Sequence, residues 1–248
     1  MNNVYGLIGY PLTHSFSKKY FSDKFEKEGI TGSIYNLFEI PAIERLPEII
    51  RNTSGLKGLN VTIPYKQDVI PFLTSLDSSA QKVGAVNVIK VRSNGDLIGF
   101  NSDYYGFYKS LENLLAGQKV QKALILGTGG AAKAVKAVLD DLQIQALFVS
   151  RNPGERSDCI AYEQVDQGLL NEYKLIINTT PLGTYPNIDA CPELPYDLLD
   201  GTHYVHDLVY NPSTTLLMKK AEQQGSKVKN GYEMLVLQAE KSWEIWNE

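Results

Sequence analysis

The stretch from residue 122 to residue 142, KALILGTGGAAKAVKAVLDDL, restricts the possible folds of this chain more than any other. It opens with a short, continuous apolar run at residues 123–126, as in a parallel strand that is covered on both faces. Residues 127–132 come next and fit the pattern G-x-G-x-x-A. The next apolar residues recur at steps of three and four, as on one face of a helix: Ala131, Ala134, Val135, Val138, Leu139 and Leu142. The sequence therefore predicts a strand, a glycine turn and a helix.

Such a turn has a physical use. Glycines let the backbone bend tightly and approach a pyrophosphate, whose charge is stabilised by the free N–H groups of the helix N-terminus. The flanking strand and helix supply the context that this short pattern requires. We therefore expect a dinucleotide site here, and the alternative is an ordinary tight turn in an α/β domain.

The end of the next predicted strand, at residues 147–150, indicates which dinucleotide would bind. An NAD site needs a carboxylate there for the ribose hydroxyls, whereas an NADP site needs an arginine for the 2′-phosphate. The sequence reads Ser150-Arg151-Asn152, without an acidic residue, and Arg156 is close by. NADP is therefore favoured over NAD, and the alternative for Arg151 is a solvated loop arginine.

The remaining pattern predicts two α/β domains. Before the glycine turn, strands are expected at 4–9, 33–38, 56–63, 85–91 and 97–100, with helical segments among them, which is typical of an open sheet with helices on its faces. Asn101-Ser102-Asp103 begins an amphipathic helix that leads into the second region. Further strands at 147–150, 175–178, 204–208 and 227–229 complete a doubly wound nucleotide domain, and a terminal helix is expected at 232–246.

Composition excludes several classes of protein. With 248 residues, a net charge of -4 and no basic patch, the chain is not a general nucleic-acid binder. Its two cysteines, Cys159 and Cys191, offer neither a disulfide framework nor a metal motif, so no metal is expected. We see no signal peptide and no apolar run of membrane-spanning length, and we expect a cytoplasmic protein without a membrane partner.

Polar residues at the ends of the first-region strands are the candidates for chemistry. Residues 60–66, Asn60-Val61-Thr62-Ile63-Pro64-Tyr65-Lys66, place an amide, a hydroxyl and an amine where one strand ends. Asn87 lies on another strand, and Asp103 lies at the start of the connecting helix. Each has a structural alternative, such as a surface charge for Lys66 or a helix N-cap for Asp103. From the residues alone, the prediction is an NADP-binding enzyme of two domains.

Eight motifs in order resemble those of the shikimate dehydrogenase family, which reduces 3-dehydroshikimate to shikimate with NADPH. They are His14-Ser15-Phe16-Ser17, residues 60–66, Gly84-Ala85-Val86-Asn87, Gly99-Phe100-Asn101-Ser102-Asp103, the glycine turn, Asn178-Thr179-Thr180-Pro181-Leu182-Gly183, Asp207-Leu208-Val209-Tyr210-Asn211-Pro212 and residues 231–238. They span almost the whole chain. The resemblance implies an N-terminal substrate domain and a Rossmann-type NADP domain, with the C-terminal helix returning to the first. The expected limits are 1–103 with 229–248 for the substrate domain and 104–228 for the NADP domain.

The resemblance also implies a role for each matching residue. Lys66 and Asp103 would be the catalytic pair, with Lys66 as proton donor and acceptor. Ser15, Ser17 and Tyr210 would bind the substrate carboxylate, and the ring hydroxyls would be held by Asn60, Thr62, Asn87, Asp103 and Gln238. NADP(H) would contact Gly127, Thr128, Gly129, Gly130, Ala131, Ser150, Arg151, Asn152, Thr179, Leu208 and Gly231. Aromatic amino-acid (chorismate) biosynthesis is the implied pathway, and the expected assembly is a monomer or a homodimer.

The sequence departs from the family pattern at a few positions. Tyr65 stands where histidine is common and Ser102 where threonine is common. In the NADP loop, the second arginine usually comes four residues after the first, whereas here Glu155 holds that position and Arg156 comes one residue later. Arg151 is thus the stronger candidate for the ligand of the 2′-phosphate, and the role of Arg156 is left open. Two alternatives also stay open: a quinate/shikimate dehydrogenase of broader range, and a non-catalytic dinucleotide or metabolite sensor on the same fold.

Overall fold

The computed structural model describes residues 2–12 and 15–248, so His14 of the first motif lies outside the described residues. The chain forms two compact units. The first unit comprises Met1–Ser102 and Gln238–Glu248, and the second comprises Asp103–Leu237. The domain limits expected from the sequence, 1–103 with 229–248 and 104–228, stay a prediction.

The first unit contains a mixed six-stranded sheet in the order β2-β1-β3-β5-β6-β4. Its strands are β1 (Asn3–Gly9), β2 (Ser33–Glu39), β3 (Leu56–Val61), β4 (Ser75–Leu76), β5 (Val88–Val91) and β6 (Leu97–Phe100). Its helices are α1 (Phe16–Lys27), α2 (Leu46–Asn52) and α3 (Ser78–Val83). Strands β2, β1 and β3 are parallel, whereas β5 runs antiparallel to both β3 and β6. The carboxyl ends of the parallel strands β1 and β3 therefore lie at the same edge of the sheet.

Several local details differ from the sequence prediction in this unit, among them β5, which begins at Val88 rather than at residue 85. The third strand ends at Val61 rather than Ile63, because the Tyr65 amide donates to the Thr62 carbonyl at 3.0 Å and turns the chain. The helical segment that follows β3 is a single 3₁₀ turn, Ile70–Phe72, with proline in its first positions. Strand β4 has only two residues, which is too short for a periodic pattern that would predict a strand.

The second unit contains an all-parallel six-stranded sheet. Its strands are β7 (Lys122–Leu126), β8 (Gln145–Val149), β9 (Cys159–Ile160), β10 (Leu175–Asn178), β11 (Tyr204–Asp207) and β12 (Lys227–Lys229). Their order is β12-β11-β10-β7-β8-β9, the strand order of the doubly wound dinucleotide-binding fold. Its helices are α5 (Gly130–Asp141), α6 (Gln167–Glu172) and α7 (Leu216–Gln223). Strand order therefore reverses between β7 and β10, where such folds bind their ligands.

Two longer helices belong to both units. Helix α4 (Ser102–Leu115) starts in the first unit, and α8 (Tyr232–Asn247) ends there. In the first unit, the end of α8 packs into an aromatic core. Trp246 lies against the rings of Phe21 and Tyr5, and its indole N–H donates to the Ile89 carbonyl at 3.1 Å. A methyl group on Gly58 would lie 2.1 Å from the Trp246 ring, so glycine leaves the space that the indole occupies.

Each sheet is covered on both faces by apolar side chains. In the second unit, one core lies between the sheet and helices α4 and α5, with Phe107, Leu111 and Val135 fully buried. The other core includes Leu170 of α6 and Leu217 of α7. In the part of the chain that the structure describes, no helix is long and apolar enough to cross a membrane.

Candidate active site

The glycine turn lies where β7 meets α5. Gly127 has a φ of +96°, in the left-handed region that favours glycine, and a Cβ there would meet Thr180 at 2.9 Å. Gly129 is the N-cap of α5 and has no side chain to satisfy the helix N-terminus. A Cβ on Gly129 or on Gly130 would meet nothing within 4 Å. The space beside the two glycines at the start of α5 is therefore open, as a pyrophosphate site requires.

The sheet register brings three chain segments together beside this turn. Leu126, the last residue of β7, pairs with Val149 of β8 and with Asn178 of β10. The loops that leave these three strands therefore start at the same edge. The Thr179 hydroxyl donates to the Leu126 carbonyl at 2.7 Å, which fixes it next to Gly127.

A pocket of ≈ 630 Å³ opens at this edge. Six of the residues predicted to contact NADP(H) line it: Gly127, Thr128, Gly129, Ser150, Arg151 and Thr179. Gly130 and Ala131 form the adjoining first turn of α5, and the Asn152 amide donates to the Ser150 hydroxyl at 3.2 Å. The volume suits a nucleotide and the lining includes hydroxyl groups and an arginine, so the residues present fit the predicted cofactor.

The two arginines of this region have different surroundings. Arg151 is exposed and lines the pocket. Arg156 donates to both oxygens of the Asp158 carboxylate, and its guanidinium lies 4.5 Å from the Phe148 ring centroid. Arg156 is therefore engaged by these two neighbours, whereas Arg151 is the arginine that lines the pocket.

A buried carboxylate shapes the loop after β10. Asp207 accepts hydrogen bonds from the Asn178 amide at 2.9 Å and from the Thr215 hydroxyl at 2.6 Å. Burial raises the pKa of Asp207 above its ordinary value, while these hydrogen bonds oppose that rise. Asn178 in turn accepts from the hydroxyl of Thr180 at 2.6 Å. The conformation of the chain after Asn178 is therefore held by Asp207, so the first residues of two of the eight motifs are hydrogen-bonded to each other.

The last two predicted cofactor residues, Leu208 and Gly231, are in direct contact. A Cβ on Gly231 would lie 2.1 Å from the Leu208 carbonyl oxygen. The Gly231 amide also donates to Val209 at 3.0 Å. Glycine at 231 is therefore required by a close approach of two backbone segments, and neither residue lines the pocket.

The first unit brings together three of the predicted substrate-binding side chains. The Asn60 amide nitrogen donates to the Asn87 carbonyl at 3.3 Å, and the Asn87 amide nitrogen donates to the Ser102 hydroxyl at 3.0 Å. Ser102 also lies 3.4 Å from the Gln238 side-chain oxygen. These residues come from β3, from the residue before β5, from the start of α4 and from α8. The polar ends of four separate segments thus form one buried hydrogen-bonded group.

Two members of this group were missed in the sequence. Tyr35 on β2 donates its hydroxyl proton to Asn60 at 2.8 Å. Ser242 on α8 accepts from Asn60 at 3.0 Å and lies 3.2 Å from the Ser102 hydroxyl. Ser242 could have been noticed because it comes one helical turn after Gln238 and so shares its face. Nothing in the sequence pattern distinguishes Tyr35 from an ordinary core tyrosine.

The remaining predicted residues are placed individually. Ser15 is the N-cap of α1 and accepts from the Lys18 amide at 3.2 Å, and Ser17 lies in the first turn. Thr62 comes directly after β3 and packs where Gly9 leaves room, since a Cβ there would lie 2.5 Å from the Thr62 methyl. Lys66 is half-buried, and its carbonyl accepts from the Val86 amide at 2.7 Å. Asp103, also half-buried, lies in the first turn of α4, and Tyr210 is exposed after β11.

Strand order, glycine turn and pocket define the class: an α/β dinucleotide-binding protein with a second unit that carries a separate polar site. Comparison with known proteins narrows the class. Residues 7–89 match the model of the shikimate dehydrogenase substrate binding domain. The chain is 41% identical to a shikimate dehydrogenase (NADP(+)) of Clostridium beijerinckii over 98% of this chain and 92% of that one.

Solved structures of shikimate dehydrogenases are similar to this chain over almost its whole length. A chorismate mutase/shikimate 5-dehydrogenase fusion protein from Clostridium acetobutylicum is 39% identical with a TM-score of 0.88, covering 100% of this chain and 92% of that one. Shikimate 5-dehydrogenase from Thermus thermophilus, in complex with NADP(H) and shikimate, is 31% identical with a TM-score of 0.81, covering 98% and 93%. The chain belongs to the shikimate dehydrogenase family.

Proposed function

We propose that this protein catalyses the reversible, NADP-dependent interconversion of shikimate and 3-dehydroshikimate. The observation that carries the proposal is the buried group of Asn60, Asn87 and Gln238, three amide side chains brought together in the first unit. A polyhydroxylated ring needs several donors and acceptors held in fixed directions, and this group supplies them. The relatives named above act on shikimate or were solved with it, which supports the same substrate here.

NADP(H) is the proposed cofactor, held at the pocket beside the glycine turn. The N–H groups at the start of α5 would bind its pyrophosphate, and Arg151 would bind its 2′-phosphate. When bound in its reduced form, the cofactor supplies the hydride for the C3 carbonyl. The Thermus thermophilus structure contains NADP(H), which supports this choice.

The substrate carboxylate would bind near Ser15 and Ser17, with Tyr210 as a further proposed ligand. Both serines lie at the N-terminus of α1, whose first turn holds no acidic residue. Free N–H groups and the helix dipole favour an anion at such a position. The two hydroxyls would then add directed hydrogen bonds to a favourable electrostatic environment.

Lys66 would move the proton. Negative charge builds on the C3 oxygen as the carbonyl is reduced, and an ammonium group beside that oxygen stabilises the charge and delivers a proton. In the oxidation direction the neutral amine takes the proton back. Asp103 would accept a hydrogen bond from a neighbouring substrate hydroxyl and orient the lysine, and Thr62 would bind a further hydroxyl.

Replacement of Lys66 tests the assignment. Lys66→Ala should lower kcat for shikimate oxidation roughly 10²-fold or more, the usual scale for a positioned acid–base group. The readout is NADPH formation with shikimate and NADP. Lys57→Ala is the matched control, because Lys57 is an exposed lysine on β3 of the same unit. Near-normal turnover of Lys66→Ala would remove Lys66 from the mechanism, and a wild-type protein without turnover would refute the proposed function itself.

The oligomeric state, monomer or homodimer, and a cytoplasmic location stay predictions from the sequence.

A further inference from the structure

The carboxamide of Asn60 is held from both ends. Its oxygen accepts the Tyr35 hydroxyl proton at 2.8 Å. Its nitrogen donates to the Ser242 hydroxyl at 3.0 Å and to the Asn87 carbonyl at 3.3 Å. A carboxamide has two N–H donors and two acceptor lone pairs. Both donors of Asn60 are therefore used inside the protein, and one lone pair on its oxygen is left for a ligand.

The direction of the hydrogen bonds at Ser242 is set by its single proton. The Ser242 hydroxyl donates to the Gln238 carbonyl at 2.8 Å, one turn earlier in α8. Its oxygen must then accept both from Asn60 and from Ser102. Ser242 is thus an acceptor toward Asn60 and forces the amide nitrogen, rather than the oxygen, to face α8.

Tyr35 enforces the same orientation from the other side. Burial raises the pKa of Tyr35 above its ordinary value, so the hydroxyl keeps its proton. The ring is stacked on Phe21 with centroids 4.7 Å apart, which fixes the direction of the hydroxyl. Tyr35 is 4% exposed and Ser242 0% exposed, so neither can be replaced by solvent.

We propose that Tyr35 and Ser242 are positioning residues, which hold Asn60 with one oxygen lone pair directed to a hydroxyl group of the substrate. The proposal rests on the proposed function and adds two residues to the site. It also specifies the direction of one hydrogen bond: toward the substrate, Asn60 accepts and does not donate. If either residue loses its hydroxyl, the amide is free to rotate and its oxygen is no longer presented in one direction. Binding of a hydroxylated ring then weakens, while binding of NADP does not change.

The test compares Tyr35→Phe and Ser242→Ala with the wild-type protein by titration calorimetry with shikimate and, separately, with NADP. Each variant should bind shikimate about tenfold more weakly, the scale of one lost orienting hydrogen bond, and NADP within about twofold of wild type. Ile245→Val is the matched control, because Ile245 is a buried residue of the same helix outside the hydrogen-bonded group. Unchanged shikimate affinity in both folded variants would overturn the proposal.

Ser242→Thr separates positioning from a purely structural role. Threonine keeps the hydroxyl and can still bond the carbonyl one turn earlier, but it adds a methyl group in a fully buried position. A positioning role predicts near-wild-type shikimate affinity despite a lower Tm, whereas a structural role predicts that affinity falls with Tm.

The double variant Tyr35→Phe/Ser242→Ala gives a second check. Both residues act through Asn60, so their effects on shikimate affinity should be clearly less than additive. Full additivity would contradict a shared action on one amide. If the wild-type protein turns over shikimate and the single variants are unaltered, the positioning proposal alone fails. If the wild-type protein does not bind shikimate, the proposed function fails.

Discussion

The Arg156 guanidinium donates two hydrogen bonds to the Asp158 carboxylate, from Nε to Oδ1 at 3.0 Å and from Nη2 to Oδ2 at 2.9 Å. The same group lies over the Phe148 ring. This arrangement leaves Arg151 as the arginine that lines the cofactor pocket. Arg156, which is displaced by one residue from the position usual in the family, is therefore bound to Asp158 and Phe148 and does not line the pocket.

The first prediction concerns cofactor choice. Arg151→Asp should raise the KM for NADP by roughly tenfold or more and change the KM for NAD far less, because a charged hydrogen bond to the 2′-phosphate exists only with NADP. Arg156→Ala should change the KM for NADP by less than about threefold, since its charge is already paired. Steady-state kinetics with both cofactors measure this, and equal effects of Arg151→Asp on NADP and NAD would contradict phosphate recognition there.

The second prediction contrasts two glycines. At Gly129 an added Cβ meets nothing within 4 Å, whereas at Gly231 it would lie 2.1 Å from Leu208. Gly129→Ala should leave the free energy of unfolding within about 1 kcal/mol of wild type yet weaken NADP binding, because the methyl group fills the space at the helix N-terminus. Gly231→Ala should cost roughly 1–3 kcal/mol or more, because two backbone segments must separate. Urea unfolding and NADP titration of both variants decide it, and a Gly129→Ala protein with normal NADP affinity would argue against pyrophosphate at this turn.

The third prediction concerns the return of the C-terminal helix. Trp246→Phe keeps an aromatic ring but removes the donor to the Ile89 carbonyl, leaving a buried acceptor without its partner. We expect a loss of roughly 1–3 kcal/mol in the free energy of unfolding. Trp243→Phe is the control, because Trp243 packs on Tyr5 and Phe25 in the same aromatic cluster and so reports the loss of indole area. Equal losses in both variants would show that packing, and not the hydrogen bond, accounts for the effect.

The fourth prediction concerns stability at acid pH. His206 is fully buried on β11, where its Nε2 lies 2.8 Å from the Ser110 hydroxyl and its Nδ1 has no hydrogen-bond partner among the described residues. Burial, with a smaller contribution from Lys229 and an opposing one from Glu233, lowers the pKa of His206 to about 3. The unfolded chain, with an ordinary histidine pKa of about 6.5, therefore binds more protons than the folded protein between these values.

This contribution to stability is complete above pH of about 6.5 and is lost as pH falls toward about 3. Between pH of about 7.5 and 5, it should decrease by about 2 kcal/mol. The measurement is urea unfolding at both values for wild type and His206→Gln. The difference between the two proteins isolates His206, because Asp207 and Glu233 titrate in both. A pH dependence that is identical in the variant would show that His206 does not titrate as its burial requires.

Much of the fold could be predicted from local sequence. Strands β10 and β12 have the expected limits, and α8 ends one residue after its expected C-terminus. The glycine turn joins a strand to a helix as its pattern predicts. These features depend on periodicity, capping and backbone freedom, which neighbouring residues largely determine. The short strand β9 was not predicted, because two residues carry too little periodicity.

By itself, the sequence determined the fold class, the family and the presence of a dinucleotide turn with an arginine after the next strand. The tertiary structure decided which arginine is engaged by Asp158 and which side chains surround Asn60. Asn60 and Ser242 are 182 positions apart, and their 3.0 Å hydrogen bond exists only because α8 packs into the first unit. Residue types and local spacing do not predict such a contact, since its distance and direction depend on how segments far apart in the sequence pack together. The groups that orient a binding residue are therefore visible only in the folded chain.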